Sequence, residues 1–156
     1  LYLNRLPHDF AVTPAERASA PICLYIDCGT DYPTVDKTKL IHGIYRKLMR
    51  HQNQGWKIFV KPIPGCYQST VSMLEKAGVE FSLVLPEHLP AELCISVLCP
   101  EIVLSVPSTS LQVVEEQFTK IEWIDIPDMD DSLRDRFRKS YSRILPDAIM
   151  SKQTSY

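Results

Sequence analysis

Three hydroxyl side chains stand in a row at Ser108, Thr109 and Ser110, directly after Pro107. They lie between the apolar run Ile102-Val103-Leu104-Ser105-Val106 and a stretch with helical periodicity that reaches Phe118. Hydroxyls at a strand-to-helix junction join the unpaired N–H groups and positive dipole end of the helix, and together these bind anions. A phosphate suits such a place. The competing use is local, with Ser108 or Thr109 simply capping the helix start.

Two further loops carry candidate chemistry. Asp27-Cys28-Gly29-Thr30-Asp31 follows the apolar run Ile22 to Ile26; Gly29 permits close backbone approach and Thr30 adds a hydroxyl. This loop is similar to the aspartate-nucleophile loop of haloacid-dehalogenase-like phosphatases. The second aspartate of that loop, a general acid, is replaced here by Gly29. A Cys28 nucleophile would need a partner base, and the sequence identifies none. The other loop, Lys61-Pro62-Ile63-Pro64-Gly65, puts a cation at a strand end before a rigid turn. Lys61 would offset phosphate charge there, or else serve as a solvated strand-end lysine. There is no GxGxxG after the first strand and no GxxxxGKS, which excludes the dinucleotide-fingerprint and P-loop readings.

These loops need elements to hold them. Apolar runs predict strands at 22–26, 57–61, 81–85, 102–106 and 121–124. Between them, helical spacing predicts helices over 36–51, with Leu40, Ile41, Ile44, Tyr45, Leu48 and Met49 at helical spacing, over 67–77 closed by Gly78, over 90–98, and from Ser110 to Phe118. A last amphipathic helix is capped by Asp130 and carries Leu133 and Phe137. Strands that are apolar throughout and alternate with helices read as an open parallel sheet covered on both faces. The fold class is therefore α/β, a Rossmann-like three-layer sandwich on a five-stranded parallel sheet. In such sheets ligands bind outside the carboxyl ends of the strands, where the candidate loops lie.

The chain of 156 residues is long enough for one domain. Residues 1–20 lack sustained periodicity and read as an arm or linker, 21–150 as the domain and 151–156 as a polar tail. At 45% hydrophobic and 23% charged it builds an ordinary core, and no apolar run is long enough for a membrane span. A net charge of −2 argues against a dedicated nucleic-acid surface. The five cysteines have no framework or CxxC spacing, so they are expected to be reduced, with no zinc site. The chain begins at Leu1 without a signal-peptide pattern, so the expectation is a cytoplasmic protein that is processed or part of a longer one.

The order and spacing of these pieces resemble the donor-binding half of bacterial-type sialyltransferases, namely glycosyltransferase family 52 and related polysialyltransferase-like proteins of the GT-B fold. In those families a strand ends in a Lys-Pro-His-Pro-like motif, a Pro-x-Glu stretch opens a later helix, and a Ser-Ser or Ser-Thr pair follows a later strand. The corresponding residues here are Lys61-Pro62-Ile63-Pro64, Pro90-Ala91-Glu92 and Ser108-Thr109-Ser110, and the resemblance covers roughly 21–125.

The resemblance implies that Ser108 and Thr109 hold the phosphate of CMP-sialic acid, with Glu87 and Glu92 near the cytidine and ribose. Glu92 is equally placed to be a capping-box acid. One departure is plain: the family's histidine, which assists the leaving CMP phosphate, is Ile63 here, with His88 in a neighbouring loop as the possible substitute. The implied reaction moves sialic acid from the nucleotide-sugar donor to a glycan hydroxyl without metal or other cofactor. The base would come from a missing N-terminal acceptor domain or a partner chain. The alternative is a degenerate, non-catalytic module kept for binding or assembly; a hydrolase using the Asp27 loop is a third reading.

Overall fold

The computed structural model describes residues 19–27, 29, 35–108, 110–111, 114 and 119–141. Its core is one five-stranded sheet of β1 (Ile22–Ile26), β2 (Lys57–Lys61), β3 (Leu83–Val84), β4 (Ile102–Ser105) and β5 (Lys120–Trp123), in the order β3-β2-β1-β4-β5. Every pairing is parallel. The described helices are α1 (Lys37–Asn53), α2 (Tyr67–Lys76), α3 (Ala91–Leu98) and α4 (Asp131–Tyr141).

Period-two alternation divides β1 between two cores. Cys23 and Tyr25 pack with Leu40, Ile44, Leu48 and Leu74 of α1 and α2, while Ile22, Leu24 and Ile26 pack with Cys94, Ile95 and Leu98 of α3. All five β1 residues are buried, which is why the strand reads as an unbroken apolar run. The α/β sandwich predicted from the sequence is the observed architecture.

Local signals set most of the boundaries. The Asp36 carboxylate accepts from the Thr38 and Lys39 N–H groups at the start of α1. Gly78, at φ +73°, takes the left-handed conformation just past α2, where a side chain would be strained. The Asp130 carboxylate accepts from the Leu133 N–H and opens α4, as predicted.

Three expectations need correction. The third strand shrinks from 81–85 to Leu83–Val84, because its ladder reaches only Phe59 and Val60 of β2 and Pro86 brings no N–H to extend it. The fourth and fifth strands end one residue early, and the Lys120 N–H already donates to the Glu101 carbonyl, so β5 starts there. The helix predicted from Ser110 to Phe118 is not continuous. A tight turn at Ser110–Leu111 is closed by i to i+3 bonds, from Leu111 N–H to Ser108 and from Val114 N–H to Leu111, and Val114 itself is not helical. Hydroxyl-rich sequence offers the backbone local partners that compete with a helix; the Ser110 N–H donates to Ser108 Oγ at 3.3 Å. The rest of that expected helix, the N-terminal arm before Ser19 and the polar tail lie outside the described residues.

Candidate functional site

The strand order reverses between β1 and β4, whose connections leave toward opposite sides, and the crevice at the carboxyl ends of those strands is where such sheets take ligands. A cavity of about 310 Å³ opens there. Asp27 follows β1, Lys61 ends β2, Leu89 to Ala91 lead into α3, and Ser108 and Ser110 follow β4; all of them line it. Three sequence segments spread over some fifty residues thus meet on one wall system: Lys61-Pro62-Ile63-Pro64, Pro90-Ala91, and the hydroxyl turn.

Asp27 is buried and held by neutral donors. Its Oδ1 accepts from the Gly29 N–H at 2.9 Å and from the Tyr25 hydroxyl at 3.5 Å, and its Oδ2 from the Thr70 hydroxyl. Both oxygens are engaged in fixing the loop after β1. Gly29 has φ +81°, and a Cβ there would approach Ile63 Cδ1 to 3.3 Å, so glycine serves both the turn and the closeness of the two loops.

Lys61 is only 3% exposed, which corrects the solvated alternative. Its ammonium donates to the carbonyls of Pro62 and Glu87, the latter at 3.0 Å, and so ties the loop after β2 to the loop after β3. A buried ammonium demands such acceptors. Lys61 also offsets part of the burial effect on Cys94, whose thiol is pushed up to about 11, first by burial.

The carboxylate of Glu87 accepts from the Tyr67 N–H at the start of α2, and neither Glu87 nor Glu92 lines the cavity. Glu92 lies in the first turn of α3, but the N-cap residue of that helix is Pro90, which has no backbone N–H for a capping-box acid to accept from. The capping-box use of Glu92 is therefore not realised. His88 is exposed and outside the cavity lining, so it is poorly placed to replace the histidine that Ile63 displaces. Ile63 itself lines the cavity. Thr30, Thr109 and Cys28 lie outside the described residues.

The positive helix end at this cavity belongs to α3 rather than to a helix after Ser110. Leu89, Pro90 and Ala91 form its rim, and the α3 N–H groups ahead of the Cys94 N–H, which donates to the Pro90 carbonyl, have no partner within the helix. The sequence pattern at Pro90 marked the helix start but not which loop it would face. Among the described residues, no three His, Cys, Asp or Glu side chains converge to hold a metal ion. The four described cysteines are free thiols, and no described helix is long and apolar enough to cross a membrane.

A second polar cluster, on the opposite face from α3, escaped sequence reasoning. Glu122 of β5 accepts from Arg50, from His51 Nε2 at 2.5 Å and from Lys47 at 3.4 Å. Burial alone would raise its pKa, but hydrogen bonds and charge from His51 and Arg50 outweigh burial and hold the carboxyl below its usual value. His51 is buried, tilted against Trp56, and its Nδ1 has no partner. The available signal was His51 closing the stripe Leu40, Ile44, Leu48, together with a lone acid inside the apolar run of β5. Cys23, on the same core face, is pushed up to about 12, mainly by burial and further by Glu122.

No protein-family model matches this chain, and no curated protein is significantly similar to it.

Proposed function

We propose that this chain is a nucleotide-sugar-binding domain of the sialyltransferase-like kind, taking a CMP-sugar such as CMP-sialic acid at the cavity between β1 and β4. The observation that carries the reading is convergence. Lys61, the unpartnered start of α3, and Ser108 and Ser110 border one cavity at the point of strand-order reversal, although they are far apart in sequence. A phosphate there would meet the α3 amides and the hydroxyls as donors, beside the positive charge of Lys61, a setting that suits an anion. Asp27, whose N–H donates to the Lys61 carbonyl, lines the same cavity with neutral partners and suits the hydroxyl donors of a ribose or sugar. In the transfer reaction, the phosphate contacts would stabilise leaving CMP, and the acceptor base would come from a domain or chain outside these residues. Neither a metal nor another cofactor enters this scheme.

Calorimetric titration with CMP, UMP and GDP tests it. CMP should bind most tightly, and the Ser108→Ala, Ser110→Ala double variant should weaken it roughly ten- to a thousandfold, as for two lost bonds to a charged group. Absence of CMP binding at millimolar concentration overturns the proposal.

One observation favours a second reading, a non-catalytic binding or assembly module. Ile63 presents an apolar side chain to the cavity and packs toward Gly29, where the resemblance expects an imidazole. Ile63→His separates the two: on the enzyme-derived reading it should tighten CMP binding more at pH 6 than at pH 8, because the imidazolium adds a charge-assisted bond. A module of unrelated purpose predicts no change.

A further inference from the structure

Helix α1 contains five of the chain's 17 basic residues and none of its 19 acidic ones, so it carries +5 while the rest of the chain carries −7. Two of the five, Lys47 and Arg50, turn toward β5 and are spent on Glu122. A different stripe of the same helix is open. Thr38, Lys39, His42, Gly43 and Arg46 line a surface groove of about 360 Å³. Gly43 makes it a groove rather than a ridge, since a Cβ placed there meets nothing within 4 Å. His42 and Arg46 are exposed, and neither pairs with a described acid.

We propose that this groove docks an acidic, extended segment of a partner protein. The recognition is already made once within the chain, where Asp128 places its carboxylate 2.8 Å from the Lys39 ammonium at one end of the stripe. Asp128 belongs to an acidic stretch that also holds Asp125, Asp130 and Asp131. From Lys39 to Arg46 the helix rises about 10 Å, the length of about three residues of extended chain. A partner segment with carboxylates three residues apart would therefore continue from the Asp128 position to His42 and Arg46, its backbone lying over Gly43. Charge complementarity at this face gives orientation and on-rate. A nucleic-acid strand fits less well, because the groove lining offers no Phe, Tyr or Trp face on which a base could stack.

The test is fluorescence anisotropy at low and physiological salt with a labelled ten-residue peptide carrying glutamate at every third position and serine between. Its glutamine counterpart, a ten-nucleotide thymidine strand and phosphatidylserine vesicles are run beside it. The expected result is binding of the glutamate peptide, weakened by salt, and no binding of the glutamine peptide. The His42→Glu, Arg46→Glu variant should lower affinity at least about tenfold while its helical circular dichroism and urea midpoint stay unchanged. Should that variant fold poorly, Arg46→Gln supplies the same test through a shallower salt dependence. Failure of the glutamate peptide to bind at millimolar concentration, or unchanged affinity in both variants, overturns the proposal. Tighter binding of the thymidine strand or the vesicles also overturns it, and assigns the face to nucleic acid or to lipid. CMP binding plays no part in any of these outcomes.

Discussion

Asp27 and Glu122 are both largely buried carboxylates on this sheet, and their surroundings differ in kind. Asp27, after β1, takes its bonds from a backbone N–H and two hydroxyls, all neutral. Glu122, on β5, takes its bonds from a guanidinium, an ammonium and an imidazole. Neutral dipoles make burial of a charge tolerable without cancelling its field, whereas cations beside a carboxylate do cancel it. The cavity therefore keeps a local charge pattern that a ligand can use. The Glu122 cluster has spent its charge on fastening α1 to the edge strand. A fixed charge held by neutral partners marks a place where a binding partner gains, and a neutralised one marks scaffold.

The largest expected effect comes from removing Asp27. Asp27→Leu leaves the Thr70 hydroxyl, almost wholly buried, and the Gly29 N–H without their acceptor. It should cost about 2–5 kcal/mol in urea denaturation, since each orphaned buried group costs about 1–3. Asp27→Asn keeps one acceptor oxygen and should cost about half as much. Equal losses below 1 kcal/mol in both variants would break the comparison, because Asp27 would then fasten nothing.

Glu122→Gln comes next, at about 1.5–3 kcal/mol for hydrogen bonds to a charged group. Its signature is in pH. The Glu122 carboxyl titrates lower in the folded protein than when unfolded, so its contribution is fully present above the unfolded value and is lost as pH falls through the folded one. Wild type and Glu122→Gln should therefore differ most near neutral pH and converge as the pH drops below the ordinary glutamate range. Parallel curves down to the lowest pH would mean that the carboxylate charge does not hold α1 to β5.

These two carboxylates also mark how far the sequence carries. The strands at 22–26 and 57–61 are legible because a strand buried on both faces must be apolar at every position. The meeting of the strand-end loops was legible from topology alone, and Lys61, Ser108 and Ser110 do line one cavity there. What was not legible is whatever depends on partners distant in the chain. Thr70 reaches Asp27 across 43 residues and His51 reaches Glu122 across 71, and no local pattern encodes either bond. The same holds for Glu87, whose carboxylate accepts from the Tyr67 N–H at the start of α2, twenty residues away in sequence. At Ser110 the strand-then-helix beat was misleading, because hydroxyls that suit an anion site also suit a tight turn.

The smallest expected effect asks whether the Glu122 cluster works through the stability of α1 or through its own bonds. Gly43 lies in the middle of α1, where glycine is about 0.5–1 kcal/mol worse than alanine because its unfolded state is freer. An added methyl would meet nothing within 4 Å, so no packing cost opposes the gain. Gly43→Ala should therefore raise stability by about 0.4–1 kcal/mol. Gly43 precedes Lys47, Arg50 and His51 on the same helix but belongs to none of their bonds. If those bonds act as a local clamp, the gain should be the same in wild type and in Glu122→Gln, within about 0.5 kcal/mol, as for independent sites. If instead Glu122 stabilises the protein by keeping α1 helical, the alanine should rescue more in the Glu122→Gln background than in wild type. Urea denaturation of the four proteins in that cycle decides it: additivity leaves Glu122 as a clamp on a helix that is already formed, and an excess rescue assigns it to the helix itself.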